Sequence, residues 1–247
     1  MDGRYAAMTG SAWIQDQLNR GDNQPSFKID PSEFLRRAWV ARPTDPEPTA
    51  SAFSQWVYSL YGSHEDSDPV AMSLGKRAEQ AIWERRRAIG GNIDDAYLTH
   101  IGSDWLLTHT GLHLRNCPEP HYFEIPNLTV GTMPLRASPD LIYVNREGSQ
   151  AMIVEIKFSR QRIPRNLWPN IWAQLWCYAQ LPQVTATGQV TVLGEIWYDK
   201  TITIGRKKHQ RETFSGLSLR ASVRRNPRAP AFDRFFRRLF EIYAASS

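Results

Sequence analysis

The seven residues Met152-Ile153-Val154-Glu155-Ile156-Lys157-Phe158 constrain the fold more tightly than any other stretch of the chain. Branched and aromatic side chains crowd them, which suits a pleated sheet better than a helix. On a strand the side chains alternate. Met152, Val154, Ile156 and Phe158 therefore share one face, and Ile153, Glu155 and Lys157 share the other. Just upstream, Asn145-Arg146-Glu147-Gly148 has turn chemistry, and residues 141–144 form another short apolar run. The two runs and their turn predict an antiparallel hairpin. One hairpin alone is marginal in water, so the chain must extend the sheet or cover it with helices.

Both are legible nearby. Asp30-Pro31-Ser32-Glu33 is a capping box with proline at the first helical position, which starts a helix running to residue 40. The proline-rich stretch 42–48 reads as a loop, and helical spacing resumes over 51–61. Asp68-Pro69 opens a long helix to residue 89, stopped by Gly90-Gly91, and a further helix is expected over 93–106. Strands are expected over 121–125 and 128–135, followed by the hairpin strands 141–144 and 152–158. A tryptophan-rich helix over 169–181 comes next, then strands over 190–198 and 217–223 and an amphipathic helix over 232–243. This order predicts an α/β fold, a mixed sheet flanked by helices. Residues 1–67 form an N-terminal helical extension, and residues 68–247 form the main domain with a basic C-terminal region.

Composition excludes several classes. Of the 247 residues 41% are hydrophobic and nine are Trp, enough for a sizeable core, so the chain is not wholly disordered. No apolar run reaches the roughly eighteen residues of a membrane span. The start MDGRYAAMTG lacks the basic-then-apolar layout of a secretory signal. The expectation is a cytoplasmic protein without a membrane partner. Cys117 and Cys177 form no C-x-x-C pair, which argues against a disulfide scaffold, a cysteine zinc site or a four-cysteine iron–sulfur cluster. A metal site built from oxygen ligands stays open. The net charge is +5, and eleven basic residues face three acidic ones from residue 201 onward. Arginines outnumber lysines 24 to 6, and the planar guanidinium suits phosphate. The basic region is thus either a solvated surface or a contact for a polyanion.

Pro139-Asp140 opens the first hairpin strand, and antiparallel pairing can place Asp140 beside Glu155 at one edge of the sheet. Two converging carboxylates repel unless a cation sits between them. Hard oxygens suit Mg²⁺ or Mn²⁺, with water and phosphate completing the shell. Taken alone, Glu155 and Lys157 also fit a solvent-exposed ion pair. Gln174 and Tyr178 lie four residues apart on one face of an otherwise apolar helix, where a glutamine needs a partner from a site or from backbone. On the helix from residue 69, Glu79 shares a stripe with Ile82 and Trp83. Glu84, five residues and about 500° further on, points elsewhere with Lys76 and Gln80. An acid on a core-facing stripe is a ligand or a capped structural group. Arg160, Arg162 and Arg165 follow the strand, as phosphate contacts or as a solvated basic loop.

In order, Pro139-Asp140, Glu155-Ile156-Lys157 and Gln174-Leu175-Trp176-Cys177-Tyr178 resemble the motifs of the PD-(D/E)xK nuclease superfamily. The Q-x-x-x-Y helix, with an acid on an earlier helix, resembles its RecB-like branch. The cysteines of the iron–sulfur members are absent, and the resemblance covers about residues 70–200. It implies a restriction-endonuclease-like sheet and a nuclease that hydrolyses phosphodiester bonds, of DNA rather than RNA, with Mg²⁺ or Mn²⁺ as cofactor. By implication Glu79, Asp140, Glu155 and the Ile156 carbonyl hold the metal. Lys157 positions or deprotonates the attacking water and stabilises transition-state charge. Gln174 and Tyr178 orient Lys157 and the scissile phosphate, and Arg160, Arg162 and Arg165 contact nucleic acid. Repair or antiviral defence is the implied setting, alone or with a partner protein in a larger complex. The alternative is a catalytically inactive, nuclease-like subunit that binds nucleic acid or supports an assembly.

Overall fold

A computed structural model of the chain describes residues 30–61, 69–88, 105–111, 122–159, 167–204 and 212–245. Helix α1 (Pro31–Val40) begins where the capping box places it, with the Asp30 carboxylate accepting from the Ser32 and Glu33 amides. Helix α2 (Ala50–Ser59) is capped by the Thr49 hydroxyl on the Ala52 amide. Helix α3 (Pro69–Ala88) and strands β1 (Trp105–Thr110), β2 (Phe123–Val130), β3 (Met133–Ala137), β4 (Leu141–Asn145) and β5 (Gln150–Phe158) follow. Then come α4 (Pro169–Tyr178), the short α5 (Pro182–Thr185), β6 (Gln189–Ile204), β7 (Glu212–Arg225) and α6 (Pro230–Ala244).

Five strands form one mixed sheet in the order β1-β4-β5-β6-β7, and β2 with β3 forms a separate hairpin. Only β5 and β6 run parallel. A parallel pair needs a crossover, and α4 supplies it. The α/β class and the flanked mixed sheet are therefore as expected.

The sheet is covered on both faces. On one, Ile142, Ala151, Ile153, Val192 and Ile196 pack in a core with Trp172 and Trp176 of α4 and Phe232, Phe236 and Phe240 of α6. Phe34 of α1 and Phe53 of α2 belong to the same core, so these N-terminal helices share the interior of the sheet domain. On the other face, Leu141, Tyr143, Met152, Val154 and Ile156 meet Ile82 and Trp83 of α3. Each such buried side chain contributes up to about 1.5–3 kcal/mol. The phenylalanines of the basic C-terminal region form the core face of α6, as their spacing predicts.

Three expectations need correction. Residues 105 and 106, expected to end a helix, begin β1, whose Trp105 and Leu107 pair with Asn145 and Tyr143 of β4. Cross-strand pairing there outweighs the helical spacing. The rest of that expected helix lies outside the described residues. No turn separates two strands at Pro126-Asn127. β2 runs through them with a shift of register between Ile125 and Thr129, where a proline's missing N–H is tolerated. The turn falls instead at Gly131, whose φ of 57° favours glycine. Finally, β6 and β7 are longer than expected and pair from Val192↔Arg225 out to Ile204↔Glu212.

Candidate active site

The hairpin register runs Leu141↔Val154 and Ile142↔Ile153, and extending it by one residue sets Asp140 opposite Glu155. Asp140 is fixed there by the Ile156 amide, which donates to its Oδ2 at 2.6 Å. One position further, Pro139 has no N–H, so the continuation of β4 offers the Ile156 carbonyl no donor. Glu155 is only 1% exposed, and Lys157 beside it is 35% exposed. Glu155 Oε1 pairs with Lys157 Nζ, while Oε2 is buried and, among the described residues, without a hydrogen-bond partner. A solvent-exposed ion pair does not describe this geometry. Gly194 lies next to Glu155 in the parallel ladder, and a Cβ there would collide with Leu167, so glycine lets the start of α4 close over the site.

Burial, then the charge of Glu155, holds the Asp140 carboxyl well above the usual aspartate range, with Glu79 adding to the effect and Lys157 opposing it. Burial alone would push the Lys157 ammonium down. Glu155, Asp140 and Glu79 outweigh it and raise Lys157 above its ordinary value. The raised value favours the ammonium form, which suits stabilising charge and orienting water. Burial, followed by the charges of Glu155 and Asp140, also raises Tyr178. Its hydroxyl accepts from Gln174 Nε2 at 2.5 Å and donates to the Ser138 carbonyl at 3.1 Å. The buried glutamine is therefore satisfied by the tyrosine. Together they tie α4 to the segment that carries Asp140, and among the described residues neither bonds Lys157.

Glu79 is half-buried on α3 and its charge acts on both Asp140 and Lys157. Glu84 is exposed and accepts from Gln80 Nε2 at 2.6 Å, so the helix phase expected from the sequence holds. Among the described residues no three His, Cys, Asp or Glu side chains gather closely enough to hold a metal ion. The oxygen set nearest to that task is Asp140, Glu155 and the Ile156 carbonyl. It fits a hard divalent cation, because the orphaned Glu155 Oε2 needs a positive partner and Mg²⁺ commonly takes one or two carboxylates plus water and phosphate. Glu79 then contributes charge from further out. Glu79→Gln is expected to slow cutting at least about tenfold, roughly 1.4 kcal/mol of barrier, and Glu84→Gln to leave it unchanged. Cleavage rates measured side by side check this, and the reverse ranking would refute the placement.

Arg160, Arg162 and Arg165 lie outside the described residues. Two neighbours of the site escaped sequence reasoning. His109 Nε2 lies 3.0 Å from the Pro139 carbonyl, and Ser138 Oγ is buried without a hydrogen-bond partner. The only sequence signal for Ser138 is its place before Pro139-Asp140, and His109 lies in β1, where the local pattern predicts no strand. Glu195, fully buried, lies in the opposite alternation of β6 and takes the Trp197 indole N–H at 2.8 Å, a structural pairing. No family model, curated protein or solved structure matches the chain.

Proposed function

We propose that the chain is a divalent-cation-dependent nuclease that hydrolyses phosphodiester bonds of nucleic acid, DNA in preference to RNA. The observation that carries this is a buried Glu155 oxygen that has no partner among the described residues, set beside a charge-strained Asp140 and the Lys157 ammonium. The order helix, strands, crossover helix and parallel strand supports a restriction-endonuclease-like arrangement. In this reading Asp140, Glu155 and the Ile156 carbonyl hold Mg²⁺ or Mn²⁺. The ion would supply an acidified water and counter-charge for the phosphoryl oxygens. The Ile156 amide fixes Asp140 for that task. Lys157 orients the attacking water and faces the negative charge that builds on the phosphorane-like transition state. Gln174 and Tyr178 hold the Ser138–Asp140 segment in place, and Arg160, Arg162 and Arg165 take flanking phosphates. A cytoplasmic repair or defence system, with a partner protein, is the setting this activity would serve.

Incubation with closed circular and linear DNA and with RNA tests the proposal, with Mg²⁺ or Mn²⁺ and with EDTA. Metal-dependent cutting that EDTA silences is expected, and nicking of the closed circle would mark an endonuclease. Failure to cut any substrate with either metal would refute the proposal. The Glu155–Lys157 ion pair, which neutralises the carboxylate's charge without a metal, favours one other reading, a nuclease-like subunit that binds nucleic acid or supports an assembly. Binding without cleavage in the same assay would select it.

A further inference from the structure

The β2–β3 hairpin stands apart from the central sheet and leads straight into the catalytic segment. Leu135 and Ala137 of β3 and Ile125 of β2 point into the core, so alternation turns Arg136 outward. Tyr122, just before β2, is 44% exposed, and the Arg136 guanidinium carbon lies 5.5 Å from its ring centroid. Glu124 faces Arg136 across the ladder and is also exposed. The guanidinium nevertheless leans on the tyrosine, and among the described residues it has neither an ion pair nor a side-chain hydrogen bond. The pair thus offers an exposed ring face beside a guanidinium whose donors, among the described residues, are left for a ligand.

The hairpin is fixed relative to the site. The Arg136 amide donates to the Pro48 carbonyl at 2.8 Å, and Thr49 bridges to the same residue. His109 packs its ring on Phe123 with centroids 4.8 Å apart while its Nε2 meets the Pro139 carbonyl. Arg136 precedes Asp140 by four residues, at most roughly 14 Å of extended chain. Arg136 therefore lies within a few nucleotides' length of the candidate carboxylates.

We propose that Tyr122 and Arg136 form a single-strand platform, on which the tyrosine stacks an unpaired base and the arginine takes an adjacent phosphate. Stacking on an aromatic ring needs an exposed base face, which a duplex offers only at its ends. Arginine serves the ring and the phosphate together, through its π face and its fork of donors. The platform rests on the nuclease reading and names its substrate as single-stranded or frayed nucleic acid. Glu124 opposes it, so Glu124→Gln should tighten binding.

Fluorescence anisotropy of the full chain in EDTA tests this with three probes: oligothymidylate, the same backbone without bases, and a closed hairpin duplex. The chain should bind oligothymidylate at least about fivefold more tightly than the baseless strand, the low end of base–aromatic stacking. Tyr122→Ala should erase that difference, Tyr122→Phe should keep it, and the duplex should be nearly indifferent to either. Arg136→Ala should weaken both single strands and lower the salt slope by about one. Equal losses on duplex and single strand, no loss at all, failure of Tyr122→Phe to rescue, or no binding to any probe would each overturn the platform. A chain that cuts yet binds without regard to Tyr122 sinks the platform alone. One that binds through Tyr122 but never cuts sinks the nuclease reading alone.

Discussion

Asp140→Asn is expected to slow cutting by at least about a thousandfold, roughly 4 kcal/mol of barrier, while the metal-free protein melts no lower than the parent. The two effects have one cause. Asp140 sits in a half-buried position facing the charges of Glu155 and Glu79, which suits a site meant to hold a cation and strains it without one. An asparagine keeps a carbonyl oxygen for the Ile156 amide but removes the negative charge. The pH dependence follows. The folded-state pKa of Asp140 lies above its unfolded value, so the folded chain holds that proton more tightly. The stabilisation is complete below the ordinary aspartate range and is lost as pH rises through the raised value. Thermal melts in EDTA should show this decline in the parent and a flatter profile in Asp140→Asn. Added Mg²⁺ should raise the melting temperature of the parent only. An Asp140→Asn protein that cuts at full rate would remove this residue from the metal centre. One that melts several degrees lower would show that the carboxylate stabilises the fold.

Local pattern reaches some features of this chain and not others, for physical reasons. The unbroken alternation of β5 and the short turn before it place Asp140 beside Glu155 from sequence alone, because register follows turn length. The phase of α3 separates Glu79 from Glu84 by helix geometry alone, and an all-round apolar α4 announces its own burial. β1 is different. Its Trp105 and Leu107 suit a helix as well as a strand, and only the partner strand β4, some forty residues away, decides between them. The same holds within the site. Which oxygen Tyr178 donates to depends on the path of the chain between β3 and β4, and no spacing encodes Ser138 as its partner. Pro126 reads as a strand breaker until a shift of register absorbs it, and that shift exists only in the paired hairpin. Likewise, the sequence marks Phe34 and Phe53 as apolar without saying that they complete the core over α4 and α6.

Lys157→Ala should abolish catalysis, by about a hundred- to a thousandfold, yet leave metal affinity within reach of the parent. An ammonium has no lone pair to give a metal, so its role must be charge and orientation. Its removal also strands Glu155, a carboxylate in the core with one oxygen already unpartnered. Breaking a fully buried pair costs about 3–5 kcal/mol, but Lys157 is a third exposed, so about 2 kcal/mol is the expected loss. For a chain of this size that lowers the melting temperature by about 4–8 °C. A second change separates stability from catalysis. Lys157→Met with Glu155→Gln leaves no stranded charge and should recover the melting temperature without recovering any cutting. Mg²⁺ should likewise restore stability to Lys157→Ala, since the ion supplies Glu155 with a positive partner, and calorimetry should still detect its binding. If that calorimetry shows metal affinity lost in Lys157→Ala, the lysine holds the carboxylates in place. The division between ligands and charge stabiliser would then have to be redrawn around Glu79 and Asp140.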